Sequence, residues 1–287
     1  MPTNQYQICN EKKLEKAQAA FRKSGAGGMQ VFADFDRTLT KVFKDGRECP
    51  SLISVLSRDN ILDKEYAKEA EALYAQYRPA EISDALGYAE KSILMEEWWR
   101  KHYALLVRKR LNISDVRSAI ASDIVELREG FFEFFNLLEQ NSIPLVILSA
   151  NGLGTISIRL FFERVGLPTE NIHIVSNNLL WDDQGFLVGA EGPFIHSLNK
   201  KGIMIEKYPF YAAVKSRKNI LLLGDTLEDA DMAESFDEEN LIRIGFLNKE
   251  VETQVKKYGK KYDALILHDG SFSFVNELLR GILGQGK

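Results

Sequence analysis

The stretch Val31-Phe32-Ala33-Asp34-Phe35-Asp36-Arg37-Thr38-Leu39-Thr40 joins an apolar run to two aspartates that are two residues apart. Residues two apart on a strand point to the same side, so where the strand ends both carboxylates can lie beside one ligand. Asp34 can then attack phosphorus, Asp36 can carry the proton, and a hard cation held by the pair can neutralise the phosphate. Alternatively, the aspartates only end the strand, because Asp and Thr are common in turns. The stretch favours phosphoryl-transfer chemistry without deciding it.

Three further polar elements follow apolar runs later in the chain. They are Ser149 after Leu145–Leu148, Lys200 at the end of His196-Ser197-Leu198-Asn199-Lys200, and Asp225 with Asp229 after Leu221-Leu222-Leu223-Gly224. Ligands of open α/β sheets bind beyond the carboxyl ends of the strands. Asp34, Ser149 and Asp225 are therefore expected to converge on one spot.

Composition and charge limit the classes of function. The chain has 287 residues, 45% of them hydrophobic, and can bury a sizeable core. Its net charge is -4 with scattered basic residues, so the basic patch typical of a nucleic-acid binder is missing. Cys9 and Cys49 are too few for a disulfide framework or a zinc cluster, and no segment approaches the ~20 apolar residues of a membrane span. We expect a cytoplasmic monomer that binds neither a membrane nor a nucleic-acid polymer.

The order of apolar runs predicts the core. Most runs are continuous rather than alternating, which indicates strands covered on both faces, and helical stretches between them indicate a parallel sheet. A hairpin with a four-residue turn is predicted at 177–189. The predicted strands are 30–33, 144–148, 172–175, 219–223, 241–245 and 264–267, and the predicted core helices are 10–23, 131–141 and 154–165.

The interval 50–123 is predicted to be a helical cap over the catalytic edge of the sheet. An apolar stripe starting at Tyr66 has helical spacing and is expected to end at Pro79, and a second helix is predicted at 90–110. We therefore expect residues 1–49 and 124–287 to form the core domain and residues 50–123 the cap domain.

The order of these elements resembles the haloacid dehalogenase (HAD) superfamily of aspartate-nucleophile phosphatases, over nearly the whole chain. Within it, the order and spacing of five segments are similar to the cytosolic pyrimidine-type 5'-nucleotidases. The segments are Gln76-Tyr77-Arg78-Pro79-Ala80-Glu81, Met95-Glu96-Glu97-Trp98-Trp99-Arg100-Lys101, Leu127-Arg128-Glu129-Gly130-Phe131, Ile195-His196-Ser197-Leu198-Asn199-Lys200 and Leu222-Leu223-Gly224-Asp225. The resemblance implies an α/β fold: a HAD-like Rossmannoid core with a parallel sheet flanked by helices, and a helical cap inserted after the first strand.

The resemblance also supports the roles assigned to the aspartates. Asp34 is the expected nucleophile and Asp36 the expected proton carrier, while Asp34, the Asp36 carbonyl and Asp225 are expected to bind Mg²⁺. Without a cation, the crowded carboxylates would repel a phosphate dianion. Asp229, the fourth acidic residue of the predicted metal site, either supports the direct ligands by hydrogen bonding or only complements a helix dipole.

The expected phosphate contacts come from two places. Ser149 offers a hydroxyl, and the backbone N–H groups of Ala150 and Asn151 can wrap phosphate oxygens, unless Ser149 only caps a helix. Where the family usually has Gly, Asn151 is expected to take a left-handed backbone. Lys200 is expected to offset phosphoryl charge, since the family places this lysine directly after an Asn; the alternatives are a solvated lysine or its neighbour Lys201.

Four residues of the cap are candidates for lining a nucleoside pocket. Glu81 corresponds in the resemblance to the glutamate that hydrogen-bonds the nucleobase, unless it is only an exposed surface glutamate. Adjacent side chains on a helix diverge by ~100°, so only one of Trp98 and Trp99 is expected to face the pocket, as a stacking wall. His102 stands where the family pattern has a base-pocket serine.

The resemblance therefore implies a Mg²⁺-dependent 5'-nucleotidase. It would hydrolyse a nucleoside 5'-monophosphate, CMP or UMP first, to nucleoside and phosphate through an aspartyl-phosphate, with phosphotransfer to another nucleoside as a side reaction. One alternative is a HAD phosphatase for a phospho-amino acid or sugar phosphate. The other is a catalytically silent binding protein, but clustered like charges would destabilise such a fold when no ligand is bound.

Overall fold

The computed structural model describes residues 5–83, 85–122, 124–203, 205–234 and 240–285. Its strands are, in chain order, β1 (Tyr6–Ile8), β2 (Met29–Ala33), β3 (Phe43–Lys44), β4 (Arg47–Glu48), β5 (Leu145–Leu148), β6 (Ile172–Val175), β7 (Asn178–Trp181), β8 (Leu187–Glu191), β9 (Asn219–Gly224), β10 (Leu241–Leu247) and β11 (Ala264–Leu267). Its α-helices are α1 (Glu11–Ser24), α2 (Leu52–Arg58), α3 (Lys64–Ile82), α4 (Tyr88–Arg108), α5 (Ile113–Ala121), α6 (Phe131–Gln140), α7 (Gly154–Arg164), α8 (Tyr211–Val214), α9 (Val251–Tyr258) and α10 (Ser273–Leu283).

Within the described ranges, a seven-stranded sheet has the order β1-β11-β10-β9-β2-β5-β6. All its neighbours are parallel except β1, which pairs antiparallel with β11. Alternate residues of β2 enter different cores: Val31 packs in one hydrophobic cluster and Phe32 in another. Strands covered on both faces explain the continuous apolar runs, and the predicted α/β fold with a mostly parallel sheet is confirmed.

The register of the central strands positions the polar residues that follow them. Ala33 on β2 pairs with Leu223 on β9, and the Asp34 N–H donates to the Leu223 carbonyl over 3.0 Å. The Ser149 N–H donates to the Val175 carbonyl over 2.9 Å, which continues the β5–β6 ladder by one residue. The strands β9, β2 and β5 are neighbours, so the residues that follow them lie at one edge of the sheet.

The helices α2 to α5 lie within the interval predicted to be the cap. Residues of α2, α3 and α4 line the same cavity as the loops after β2 and β5, so this block covers the carboxyl edge of the sheet. The proposed division into two domains stays a prediction, and Asp123, its expected boundary, lies outside the described residues. No helix within the described ranges has the length and apolar character needed to span a bilayer.

Helix α3 passes Pro79, and the prediction that it ends there was wrong. It continues to Ile82, and the Ser83 N–H donates to the Ala80 carbonyl at its end. Pro79 has no N–H and so removes one backbone hydrogen bond of the helix. It lies only three residues before the end of α3, so the rest of the helix is little affected. Glu81 consequently projects from the last helical turn.

Three short strands were not predicted. β1, β3 and β4 have two or three residues each and are largely exposed, so they carry no apolar run that a sequence pattern could show. The hairpin β7–β8 was predicted, but residues 182–186 join its strands, one more than the expected four. The Asp182 carboxylate closes this turn by accepting the N–H groups of Gln184 and Phe186 over 3.0 and 2.8 Å.

Candidate active site

Three buried or half-buried aspartates meet at the carboxyl edge of the sheet. One carboxylate oxygen from each of Asp34, Asp225 and Asp229 lies within 4.8 Å of the other two. Asp34 and Asp225 directly follow the neighbouring strands β2 and β9, and Asp229 begins a three-residue 3-10 helix. Oxygen ligands of this kind suit a hard divalent cation.

Lys200 enters this cluster. Its ammonium donates to Asp34 Oδ1 and, over 2.7 Å, to Asp229 Oδ1, and its side chain is 5% exposed. Burial lowers the pKa of Lys200, but the Asp229 and Asp34 carboxylates outweigh burial and the pKa is raised. Lys200 is therefore charged, whereas the Lys201 side chain is 45% exposed, which decides between the two neighbouring lysines.

A single ammonium does not balance the aspartates. Burial raises the pKa of Asp34 to about 7, with Lys200 opposing and Asp229 adding to the rise. Burial also raises the pKa of Asp225, and the Asp229 and Asp34 carboxylates add to it. Because desolvation penalises the charged forms of Asp34 and Asp225, the cluster is short of positive charge.

Asp229 orders the turn that follows β9. Its Oδ2 accepts the backbone N–H groups of Asp225 and Thr226 over 3.2 and 3.0 Å, while its Oδ1 accepts Lys200. The dipole of a three-residue helix is small, so these bonds, rather than a helix dipole, account for this buried carboxylate.

Asp36 and the turn after β5 face each other. Asp36 Oδ2 accepts a hydrogen bond of 3.1 Å from the Asn151 side-chain amide. Ser149 Oγ accepts the Asn151 N–H over 3.1 Å and does not cap a helix, since α7 begins only at Gly154. Burial raises the pKa of Asp36, and the Asn151 hydrogen bond opposes the rise.

The backbone of this turn differs from the prediction. The left-handed residue is Gly154, with φ of 66°, and not Asn151. Gly152 lies under the cap, because a Cβ there would stand 2.8 Å from the Trp99 ring and 2.5 Å from Ile53. Glycine at 152 therefore lets the cap approach the turn closely.

Two cavities open beside these groups. A small one of about 200 Å³ is lined by Asp34, Ser149, Lys200 and Asp225, among others. A larger one of about 890 Å³ lies between the cap helices and the loops after β2 and β5. The two share lining residues, namely Asp36, Arg37, Cys49, Pro50, Ser51, Ala150, Asn151 and Ser197. Together they form one continuous site with a polar end and an aromatic end.

Both tryptophans line the larger cavity, so the prediction that only one could face it was wrong. Trp98 and Trp99 stack at 6.1 Å between ring centroids with 12° between planes. Trp98 also stacks on Tyr77 at 6.0 Å, and Trp99 on Tyr103 at 5.4 Å. Rotation about the side-chain bonds aligns rings whose Cα–Cβ bonds diverge, and a row of four parallel rings results.

Glu81 is held from two sides at the wall of the larger cavity. Its Oε1 accepts a hydrogen bond of 2.7 Å from Ser197 Oγ, and its Oε2 pairs with the Arg78 guanidinium. Its side chain is only 16% exposed, so the alternative of an exposed surface glutamate was wrong.

His102 also lines this cavity and is paired with a tyrosine. Its Nε2 lies 3.2 Å from the Tyr66 hydroxyl in the buried part of the cap. Burial lowers the pKa of His102 to about 4, so the imidazole is neutral near pH 7. The pair offers hydrogen-bonding capacity without charge.

A family model described as pyrimidine 5'-nucleotidase (UMPH-1) matches residues 37–283. The chain belongs to this family. The match extends over the cap and most of the core, so it includes the residues that line both cavities, apart from Asp34 and Asp36 just before its start. The nucleotidase is of the HAD type and is a hydrolase acting on phosphate monoesters.

Similar proteins support this placement. The human 7-methylguanosine phosphate-specific 5'-nucleotidase is 36% identical over 275 residues, which cover 96% of this chain and 91% of that protein. The crystal structure of cytosolic 5'-nucleotidase IIIB bound to cytidine superposes with a TM-score of 0.88 at 30% identity, covering 99% of this chain and 95% of that one. A phosphoserine phosphatase structure holding an intermediate analogue has a TM-score of 0.50 at 22% identity and covers 91% of this chain and 99% of that one, a likeness of fold alone.

The nucleotidase offers a donor set that fits a divalent cation. In the part of the chain that the structure describes, no hydrogen bond to the half-buried Asp225 carboxylate is found, and desolvation raises its pKa. A buried carboxylate without a partner is stabilised by a cation. Asp34, Asp225 and Asp229 converge on such a position, and a set of ligands made only of oxygen atoms suits Mg²⁺.

Two contributors to the site of the nucleotidase were not assigned from the sequence. Ser197 donates a hydrogen bond to Glu81, and Arg128 donates to the backbone of the loop that follows Asp36. Arg128 is 2% exposed, and its guanidinium donates to the carbonyls of Thr38, Arg37 and Gly270 and to the side chains of Asp269 and Asn248. Both residues stand in the segments that resemble the family, and that position was the only signal for them.

Proposed function

We propose that the nucleotidase hydrolyses nucleoside 5'-monophosphates to nucleoside and phosphate through an aspartyl-phosphate on Asp34, with Mg²⁺ as cofactor. One observation carries the proposal: a small polar cavity beside Asp34 and Lys200 joins a large aromatic cavity. A nucleotide has the same division, with a compact charged phosphate at one end and a larger aromatic base at the other. The cavities are joined at Asp36, where the scissile bond would lie.

The proposed first step transfers the phosphoryl group to the protein. An Asp34 oxygen attacks phosphorus, the bond from phosphorus to the 5' oxygen breaks, and Asp36 gives its proton to that oxygen. The Lys200 ammonium, already bound to Asp34, offsets the charge of the phosphoryl oxygens. Ser149 and the backbone N–H group of Ala150 orient those oxygens, and the Asn151 N–H, which donates to Ser149 Oγ in the free protein, would join them once that bond opens.

The proposed second step returns Asp34 to its free form. Asp36 takes a proton from water, the water oxygen attacks phosphorus, and the bond between phosphorus and Asp34 breaks to release phosphate. If a hydroxyl of a second nucleoside replaces water, the same step becomes phosphotransfer. Asp34, Asp225, Asp229 and the Asp36 carbonyl would hold Mg²⁺, which supplies positive charge beside the phosphate.

The base would bind at the aromatic end of the site. We propose that 7-methylguanosine monophosphate and CMP are both substrates, and that the former has the higher kcat/KM. The large cavity of about 890 Å³ leaves room for a purine. A methylated guanine carries positive charge, which the Trp98 and Trp99 faces and the Glu81 carboxylate attract. Hydrolysis of CMP or UMP, which the sequence implied, stays a prediction, and the cytidine bound in the similar structure supports CMP as a substrate.

Phosphate release tests the proposal. The panel is 7-methylguanosine monophosphate, CMP, UMP, AMP and phosphoserine, each with Mg²⁺ and with EDTA, using the wild type and Asp34→Asn. We expect release from the first three nucleotides, fastest from 7-methylguanosine monophosphate, with Mg²⁺ and the wild type only. Equal release by Asp34→Asn would refute the nucleophile, activity in EDTA would refute the cofactor, and turnover of phosphoserine alone would refute the substrate class.

A further inference from the structure

The side chain of Asn151 makes bonds that a phosphate-loop residue does not need. Its Nδ2 donates to Asp36 Oδ2 over 3.1 Å. Its Oδ1 accepts the Leu153 N–H over 2.9 Å and the Ser157 hydroxyl over 3.0 Å. Asn151 is 3% exposed, so both ends of the amide are fixed inside the protein.

These bonds determine which way the amide points. The Leu153 N–H can only donate, so the group that faces it must be the carbonyl oxygen of Asn151. A flipped amide would place two donors against each other and a carbonyl against the Asp36 carboxyl. The NH₂ group of Asn151 therefore faces Asp36.

The same bond leaves one oxygen of Asp36 available. Among the described residues, no group other than the Asn151 amide is found within hydrogen-bond distance of the Asp36 carboxyl. The amide donates to Oδ2. The carboxyl also lines both cavities at their junction. With Oδ2 held, rotation of the carboxyl is restrained and Oδ1 can face the bridging oxygen of a substrate.

We propose that Asn151 is a positioning residue for Asp36: its amide holds Oδ2 so that the proton on the other oxygen is aimed at the 5' oxygen of the leaving nucleoside. This inference rests on the proposed function. In the step concerned, the bond from phosphorus to the 5' oxygen breaks while the proton of Asp36 passes to that oxygen. An alkoxide is a poor leaving group without this proton, so misplacement of Asp36 slows bond cleavage.

A change of leaving atom separates this role from a structural one. In the 5'-thio analogue of CMP, sulfur replaces the bridging oxygen, and a thiolate leaves without being protonated because it is a much weaker base than an alkoxide. The base, the ribose and the transferred phosphoryl group are unchanged. The kcat/KM of each substrate reports the steps up to release of the nucleoside.

The variants are Asn151→Asp, Asn151→Ala and Asn151→Gly. Asn151→Asp keeps an acceptor for the Leu153 N–H and loses the donor to Asp36. We expect each variant to lower kcat/KM for CMP by about 100-fold, the lower end of general acid catalysis, and for the thio analogue by less than about fivefold. Asn276→Ala is the matched control, since Asn276 is similarly buried, donates to the Gly130 carbonyl and lines neither cavity. It should leave the ratio of the two kcat/KM values unchanged, and thermal melting checks that each variant is folded.

Two results would overturn the inference. The first is an equal loss on CMP and on its thio analogue in the folded variants, which would leave Asn151 only a structural role. The second is unchanged turnover of both. If the wild type released phosphate from no nucleotide, the proposed function itself would fail, and that result is distinct because it requires no variant.

Discussion

Ser197 donates a hydrogen bond of 2.7 Å to Glu81, and this bond joins the last turn of α3 to the segment that ends at Lys200. A second bond reinforces the connection, because Glu96 on α4 accepts the Phe194 N–H over 3.0 Å. The segment that carries Lys200 into the aspartate cluster is thus attached to two helices of the predicted cap. The same segment therefore connects Glu81, at the base end of the site, with Lys200, at the phosphate end.

Removing the charge of Glu81 should weaken binding rather than chemistry. We expect Glu81→Gln to raise KM for 7-methylguanosine monophosphate by about 10-fold or more, as for loss of a hydrogen bond to a charged group, with kcat nearly unchanged. Steady-state kinetics measure both constants. Ser197→Ala is the control: it removes the bond to the core but leaves the carboxylate and Arg78, so it should raise KM less. Equal effects of the two changes would show that Glu81 only fastens the cap.

Lys200 should matter for both catalysis and stability. Lys200→Met is expected to lower kcat by about 10²-fold or more, because it removes a charge aimed at the phosphoryl group. It also leaves the buried Asp34 and Asp229 carboxylates without their cation, so unfolding in EDTA should become easier by about 3–5 kcal/mol. Added Mg²⁺ should raise the melting temperature more in this variant than in the wild type. Lys201→Met, at a half-exposed position, should change stability by less than about 0.5 kcal/mol; comparable losses at both positions would contradict the assignment.

His102 should make the protein sensitive to acid. Its folded pKa of about 4 lies below the ordinary value of 6.5, so between these values the unfolded chain binds a proton that the folded one does not. The free energy of unfolding therefore falls as the pH falls through this window, and the contribution is fully present above it. Urea unfolding at about pH 7 and about pH 5 should show a smaller fall for His102→Asn than for the wild type. Tyr66→Phe keeps His102 buried and should retain the fall; a loss of the fall in that variant alone would point to the tyrosine instead.

Arg128 should not be replaceable by lysine. A lysine keeps the charge but cannot supply the planar set of donors that reaches five acceptors, and buried carbonyls would lose their partners. We expect Arg128→Lys to lower the free energy of unfolding by about 3 kcal/mol and to reduce kcat, because the loop after Asp36 loses its support. Denaturant unfolding and turnover of CMP measure the two effects. Arg280→Lys, an exposed pair with Glu133, should do neither, and a similar change there would refute the special role of Arg128.

The sequence predicted which residues meet at the carboxyl edge of the sheet better than it predicted the cap. Asp34, Ser149 and Asp225 follow apolar runs directly, and parallel strands bring their carboxyl ends to one edge, so local pattern and topology together placed them. The Glu81–Ser197 bond joins residues 116 positions apart and depends on how the cap docks, which no local pattern shows.

Side-chain detail was also beyond the sequence. Spacing along α4 gave the directions of the Trp98 and Trp99 Cα–Cβ bonds, but the stacking of their rings is settled by neighbours such as Tyr77 and Tyr103. At Asn151 the backbone argument was wrong: Gly154 takes the left-handed conformation, and Asn151 instead contributes its side-chain amide, which donates to Asp36.

The contacts of Arg128 also determine when the site can form during translation. The acceptors on which its guanidinium depends include Asn248, Asp269 and Gly270, which leave the ribosome after every residue assigned to the phosphate end of the site. A nascent chain that has exposed Asp34, Lys200 and Asp225 still lacks the groups that fix the loop following β2. Enzymatic turnover by ribosome-bound chains should consequently begin only once this late segment has emerged.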